Sequence, residues 1–223
     1  CTREEEAREL SRADVLLAIQ RHEEAQLHEL CPGKQVVLVE HAEDTRRALP
    51  SPPNSKTVLF VGSLYDPNVQ GIRRFMDAAW PKIRAAVPDA ELVICGTVCD
   101  AIDSAPAGVT KFGRVPDLEP HYRQAAIVIN PVPYGSGLTI KSVEALAFGK
   151  CLVTTPAGVT GLEEEGHAPF QVYGIEEMGA PIIALLSDPS QRAALEAQTH
   201  EYARTRFSQD HVYRALLKLL RPE

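Results

Sequence analysis

No stretch of this sequence approaches the ~18 consecutive apolar residues of a membrane-spanning helix, and no apolar h-region follows its first residues. Positive charge is also scarce. The 23 Lys and Arg against 30 Asp and Glu leave a formal charge of −7. That balance disfavours a nucleic-acid backbone binder, which needs clustered cations to displace counterions. A disulfide framework is missing too: five scattered cysteines (Cys1, Cys31, Cys95, Cys99 and Cys151) in 223 residues read as reduced thiols in a cytoplasmic setting. Cys95 and Cys99 have no second Cys or His pair nearby to complete a tetrahedral zinc site, so no metal is expected. His22, His28, His41, His121, His167, His200 and His211 lack any H-E-x-x-H spacing, and only His41, after a strand end, stands out. There is no G-x-S-x-G elbow, internal repeat or low-complexity tract.

What is present is ordinary globular composition, 44% hydrophobic and 24% charged, enough for one large domain or one domain plus part of a second. Short apolar runs alternate with helical patterns, the mark of βαβ units and a parallel sheet. Strands are expected at Thr57–Val61, Glu91–Cys95, Val109–Phe112, Ala126–Asn130 and Cys151–Thr155. The continuous, β-branched run Thr57–Val61, closed by Gly62, suits burial on both faces. A helical pattern runs from Asn68 to Val87 with Pro81 expected to break it, and another from Thr139 to Phe148 with Gly149 at its C-terminal cap. The tail reads as three helical pieces, Glu176–Ser187, Ser190–Arg206 and Asp210–Leu220.

The first fifty residues read as a charged helix Thr2–Ser11, a strand Val15–Ile19, a helix His22–Leu30 and a strand Val36–Val39. Proline then crowds Leu49–Ser55, disfavouring helix and sheet alike, so a linker is set at 51–56. The expected division is 1–50 as the partial end of one domain, 57–207 as a second domain, and 208–223 as a helix returning to the first. The fold class is α/β, a doubly wound, Rossmann-like parallel sheet.

Ligands of open parallel sheets bind beyond the carboxyl ends of the strands. The informative end is the fourth, where Tyr134, Gly135, Ser136, Gly137 and Leu138 lead into the helix holding Thr139, Lys141 and Glu144. A glycine-rich loop entering a helix presents free N–H groups and a positive dipole end to an anion. Lys141 adds a cation, and Glu144 falls at the edge of an expected buried stripe of Ile140, Val143 and Ala147. The plainer alternative is an i,i+3 surface ion pair between Lys141 and Glu144, worth ~0.2–0.5 kcal/mol.

The segment from Gly137 to Thr155 resembles the donor-site helix and following strand of family 4 glycosyltransferases, enzymes of the GT-B fold. Leu59–Asn68 with Gly71, Phe75, Trp80, Pro81 and Ile83 is similar to the first β-loop-α unit of their C-terminal domain. Pro88–Gly96 is similar to the next strand, and Gly113–Asp117 with Tyr122, Ala125 and Ala126 to the loop and helix beside the nucleobase. The similarity spans roughly residues 10–220, so residues 1–50 resemble the end of an N-terminal, acceptor-side domain whose remainder is missing.

The resemblance implies that Glu144 binds the nucleotide ribose, that the Leu138 and Thr139 amides with Lys141 hold the diphosphate, and that Gly62 and Ser63 line the phosphate side. Arg114 and Val115 would border the base, Pro156–Gly161 would cap the far side, and Asn68, Ser136 and Gly137 belong to the same donor set. It further implies hexosyl transfer from a nucleoside diphosphate sugar to a carbohydrate or lipid-linked acceptor, with retention and no cofactor or metal. The shortened chain is expected to be inactive alone, and the intact enzyme peripheral at the inner membrane face.

Three positions depart from the family pattern: Ser136 stands where many members have a first glutamate, Ser63 where they have arginine, and Gln70 where they have lysine. Pro67-Asn68 matches a proline–asparagine variant, and Lys141 is the leading replacement cation, with Arg73 and Arg74 behind it. A dinucleotide oxidoreductase is disfavoured because Gly62–Asp66 lacks the G-x-G-x-x-G turn, and a phosphoacceptor receiver because no acidic pair ends an early strand. A nucleotide-sugar 2-epimerase and a non-catalytic nucleotide- or glycan-binding module remain as alternatives.

Overall fold

A computed structural model describes residues 2–135, 137–162 and 168–220. The elements run α1 (Arg3–Leu10), β1 (Val15–Ala18), α2 (Arg21–Leu30), β2 (Gln35–Leu38), β3 (Thr57–Val61), α3 (Asp66–Ala78), α4 (Trp80–Ala86), β4 (Glu91–Cys95) and β5 (Val109–Gly113). They continue α5 (Glu119–Gln124), β6 (Ile127–Asn130), α6 (Ile140–Ala147), β7 (Cys151–Thr154), β8 (Gln171–Val172), α7 (Gly179–Ser187), α8 (Pro189–Arg206), α9 (Gln209–Val212) and α10 (Arg214–Leu220).

Six parallel strands form the main sheet in the order β5-β4-β3-β6-β7-β8. Numbered from β3 this is 3-2-1-4-5-6, the doubly wound order, and its direction reverses between β3 and β6. Alternation along the strands divides the core. Val58, Phe60, Leu92, Ile94, Ile127, Ile129 and Val153 face a layer built by α3, α4 and α7. Leu59, Val93, Val128 and Leu152 face Tyr122 of α5, Val143 and Leu146 of α6 and Ala203 of α8. Every residue of β6 and β7 is buried, which is why both read as unbroken apolar runs.

Local chemistry sets the helix ends. The pattern from Asn68 to Val87 divides at Ala79, with Pro81 in the first turn of α4, as the proline predicts. Thr2 and Glu5 form a reciprocal cap on α1. Two expectations need correction. The final helical piece is broken at Tyr213 into α9 and α10, and β8 was not foreseen, because two residues carry no period.

β1 and β2 form a separate two-stranded parallel sheet, against which α2 and α10 pack. The proline-rich segment is neither helix nor strand, yet it is clamped. Arg192 of α8 donates to Ser51 Oγ (2.9 Å), Pro52 O (3.2 Å) and Pro53 O (2.7 Å), and Glu196 accepts from Ser51 N.

Two close backbone approaches fix the ends of β3 and β6. Gly96 has φ +100°, and a Cβ there would sit 2.2 Å from Gly62 O. At Gly71 on α3 a Cβ would sit 2.3 Å from Pro131 O, so only glycine lets this helix lie against the loop after β6.

Candidate functional site

A cavity of about 600 Å³ opens where the strand order reverses, beyond the carboxyl ends of β3 and β6. Gly62 and Ser63 reach it from β3, Pro67 and Asn68 from the first turn of α3, and Gly96 and Thr97 from the end of β4. The loop after β6 and the start of α6 supply Tyr134, Gly135, Gly137, Leu138, Thr139, Ile140, Lys141 and Glu144.

Of the expected donor set, Gly62, Ser63, Asn68, Arg114, Gly137, Leu138, Thr139, Lys141 and Glu144 converge on this one cavity. Ser136 lies outside the described residues, as does His167. Val115 packs against the sheet's second-face core and is not part of the lining. Pro156–Gly161 likewise lies behind the lining: Gly158 O accepts from Thr139 Oγ1 and Ser142 Oγ, both at 2.7 Å. That segment props the start of α6 instead of capping the cavity. Ile140 is 55% exposed and faces the cavity, so the buried face of α6 is Ser142, Val143, Ala145, Leu146 and Ala147.

No surface ion pair joins Lys141 to Glu144; each turns to a neutral partner. Lys141 Nζ donates to Asn68 Oδ1 and lies 5.4 Å from the centre of the Phe60 ring. Asn68, 4% exposed, donates from Nδ2 to Ser63 O at 3.0 Å, so the lysine, the amide and the β3 loop form one chain. Burial lowers the lysine pKa to about 8. Among the described residues no carboxylate pairs with its charge. Among the described residues no side chain caps the first turn of α6, whose N–H dipoles border the same cavity.

Glu144 Oε2 accepts a 2.8 Å hydrogen bond from the hydroxyl of Tyr122. Burial raises the carboxyl pKa, with Glu43 adding to the rise; the Tyr122 bond and His41 oppose it. His41 and Glu43 themselves are 2.8 Å apart. Sequence reasoning placed Tyr122 only by resemblance and gave it no role. Its signal was a lone tyrosine five positions before a buried strand, which reads as core.

The reserve cations are occupied elsewhere: Arg74 pairs with Glu176 at 2.5 Å and Arg73 donates to Ala101 O. Gln70 binds Asp66 at 2.7 Å, outside the lining. Asp66 also accepts from Tyr134 Oη, which fastens the glycine-rich loop to the start of α3. Among the described residues no group of three or more His, Cys, Asp or Glu is arranged to hold a metal, and no helix is long and apolar enough to cross a membrane.

Residues 55–188 match the sequence profile of the family described as glycosyl transferases group 1. No curated protein matches the chain. Among solved structures, a variant of S. aureus TarM in complex with fondaparinux, α-GlcNAc-glycerol and UDP is similar with a TM-score of 0.78 at 11% identity, over 97% of this chain and 45% of that one. HepE of Anabaena, in complex with UDP and glucose, gives 0.72 at 14% identity, over 97% and 67%. A sucrose-phosphate synthase of Thermosynechococcus elongatus gives 0.71 at 18% identity, over 96% and 59%. The chain thus spans about half of the TarM chain, and the shared fold is that of GT-B glycosyltransferases.

Proposed function

The chain belongs to the glycosyl transferases of group 1, and from that premise we propose that its cavity is the donor site for a nucleoside diphosphate sugar. The intact enzyme transfers the sugar, a hexosyl group, to a hydroxyl of a carbohydrate or lipid-linked acceptor. One observation carries the reading: Lys141 and Glu144, three residues apart on α6, line the same cavity as the start of that helix. A diphosphate against the N–H groups and Lys141 finds the positive charge its oxygens need. A ribose one helical turn further along meets the Glu144 carboxylate, and Arg114 stands at the side assigned to the base.

Within this reading the chain is of family 4, with Pro67-Asn68 as its loop variant. Residues 57–207 are the donor domain, residues 1–50 end the acceptor-side domain, 51–56 link them, and 208–223 return to the acceptor side. The reaction retains anomeric configuration. The departing phosphate accepts the acceptor's proton, while Lys141 and the α6 dipole stabilise the leaving diphosphate without a metal. With half of the cleft missing, the 223-residue chain binds nucleotide weakly and transfers sugar poorly.

Calorimetry with uridine, guanosine, adenosine and cytidine diphosphates tests this. One of the four should bind, and both Lys141→Ala and Glu144→Ala should weaken it at least tenfold, about the loss of one charge-assisted contact. Binding by both variants at the parent's affinity, or binding of none of the four by the parent, refutes the donor-site assignment.

A further inference from the structure

Resting on the donor-site reading, we propose that Tyr122 is a positioning residue for Glu144: its hydroxyl fixes one carboxylate oxygen and leaves the other to face the ribose hydroxyls.

Tyr122 is fully buried in the second-face core, its ring 4.6 Å from that of Phe148, which ends the same helix that carries Glu144. A phenol in that setting needs an acceptor for its proton, and the acceptor is Glu144 Oε2 at 2.8 Å. Burial, reinforced by Glu144 itself, holds the phenol pKa well above its usual value, so the group stays a donor and moves no proton. Its effect on the carboxylate is geometric and electrostatic. A glutamate has three side-chain torsions to immobilise before it can grip a vicinal diol, and a rigid aromatic donor fixes them before the ligand arrives. The same bond favours the ionised carboxylate against burial and against Glu43, while His41 acts with the tyrosine. Lys141, on the same helix, is directed to Asn68 and takes no part.

The test compares parent and Tyr122→Phe, which removes one oxygen and keeps the ring contact with Phe148. Calorimetry uses the ribose diphosphates of uridine, guanosine, adenosine and cytidine and the 2′,3′-dideoxy form of whichever binds. The variant should bind the ribose form about tenfold more weakly and the dideoxy form within twofold of the parent. Its ribose-dependent affinity should also fade at a higher pH on acidification, because Glu144 loses a donor that favours its ionised form. Equal weakening of both forms, with or without a lowered melting temperature, assigns Tyr122 a merely structural role and overturns the proposal. So does parental affinity for both. A parent that binds none of the diphosphates removes the donor-site reading first and this inference with it. A parent in which Glu144→Gln matters and Tyr122→Phe does not leaves that reading standing and overturns this inference alone.

Discussion

Lys141 Nζ donates to Asn68 Oδ1, tying the first turn of α6 to the first turn of α3 across the reversal between β3 and β6. Because the amide is neutral, the half-buried cation has no carboxylate partner among the described residues, and burial lowers its pKa to about 8. An arriving diphosphate supplies a counter-charge and draws a proton onto the lysine. Diphosphate affinity should therefore be highest below pH 8 and decline as pH rises through it, with proton uptake on binding that grows over the same range. Calorimetry in buffers of differing ionisation enthalpy measures both. Lys141→Met should cost roughly tenfold to a hundredfold in diphosphate affinity and abolish the decline, leaving binding of the bare nucleoside unchanged. Persistence of the pH dependence in that variant would assign it to another group.

Gly71 is where α3 touches the loop that leads to the glycine-rich turn. Its Cβ would meet Pro131 O at 2.3 Å and the carbonyl carbon at 2.8 Å, backbone atoms that no rotamer change can withdraw. Gly71→Ala should lower stability by about 1–3 kcal/mol and weaken nucleotide binding with it. Gly179→Ala is the control: its nearest neighbour would be 3.7 Å away, so a neutral to slightly stabilising change is expected. Equal urea midpoints for the two variants would show that the Pro131 contact yields freely.

The sheet and its helices were legible because buried parallel strands leave apolar runs closed by glycine, as at Thr57–Val61 and Glu91–Cys95. The cavity was legible because ligands gather at strand ends. What escaped was tertiary. Ile140 has the spacing of a core residue but stands at the cavity mouth, where the helix has only begun to pack. Val115 and Pro156–Gly161 follow strand ends, yet they turn toward the core and α6. Spacing along the chain also suggested a Lys141–Glu144 pair, whereas both side chains found partners more than twenty residues away, Asn68 and Tyr122.

Arg206 joins three parts of the chain. It donates to Glu40 Oε1 (3.0 Å) after β2, to Gly161 O (3.0 Å) and Leu162 O (2.9 Å) after β7, and to Tyr202 Oη (2.6 Å) on its own helix. The two charged side chains are 6% and 8% exposed. Arg206→Met leaves the carboxylate buried with its charge uncompensated and should cost about 3–5 kcal/mol. Adding Glu40→Met should recover part of that loss, since the second substitution removes the stranded charge. A urea-denaturation cycle of the four proteins measures the coupling, and additive losses would contradict it.

Lys150 and Cys151 are neighbours in sequence, both fully buried, and burial moves them in opposite directions. The ammonium, donating to Ala125 O at 3.0 Å, falls from 10.5 to about 8. The thiol rises from 9.0 to about 12, and that of Cys95 to about 11. Between pH 8 and 10.5 the unfolded chain holds a proton on Lys150 that the folded chain has released, so stability rises with pH. Above pH 9 the unfolded chain loses thiol protons that the folded chain keeps, and stability falls. Together these place the maximum between about pH 9 and 10, with Lys150 contributing about 1 kcal/mol of the rise from pH 7.5 to 9. Lys141 acts in the same direction, less strongly because it borders the open cavity. Urea midpoints across this range measure the curve. Lys150→Met should remove the larger share of the rise and leave the alkaline fall intact, and a variant curve that parallels the parent's would show that Lys150 keeps its proton when the chain folds.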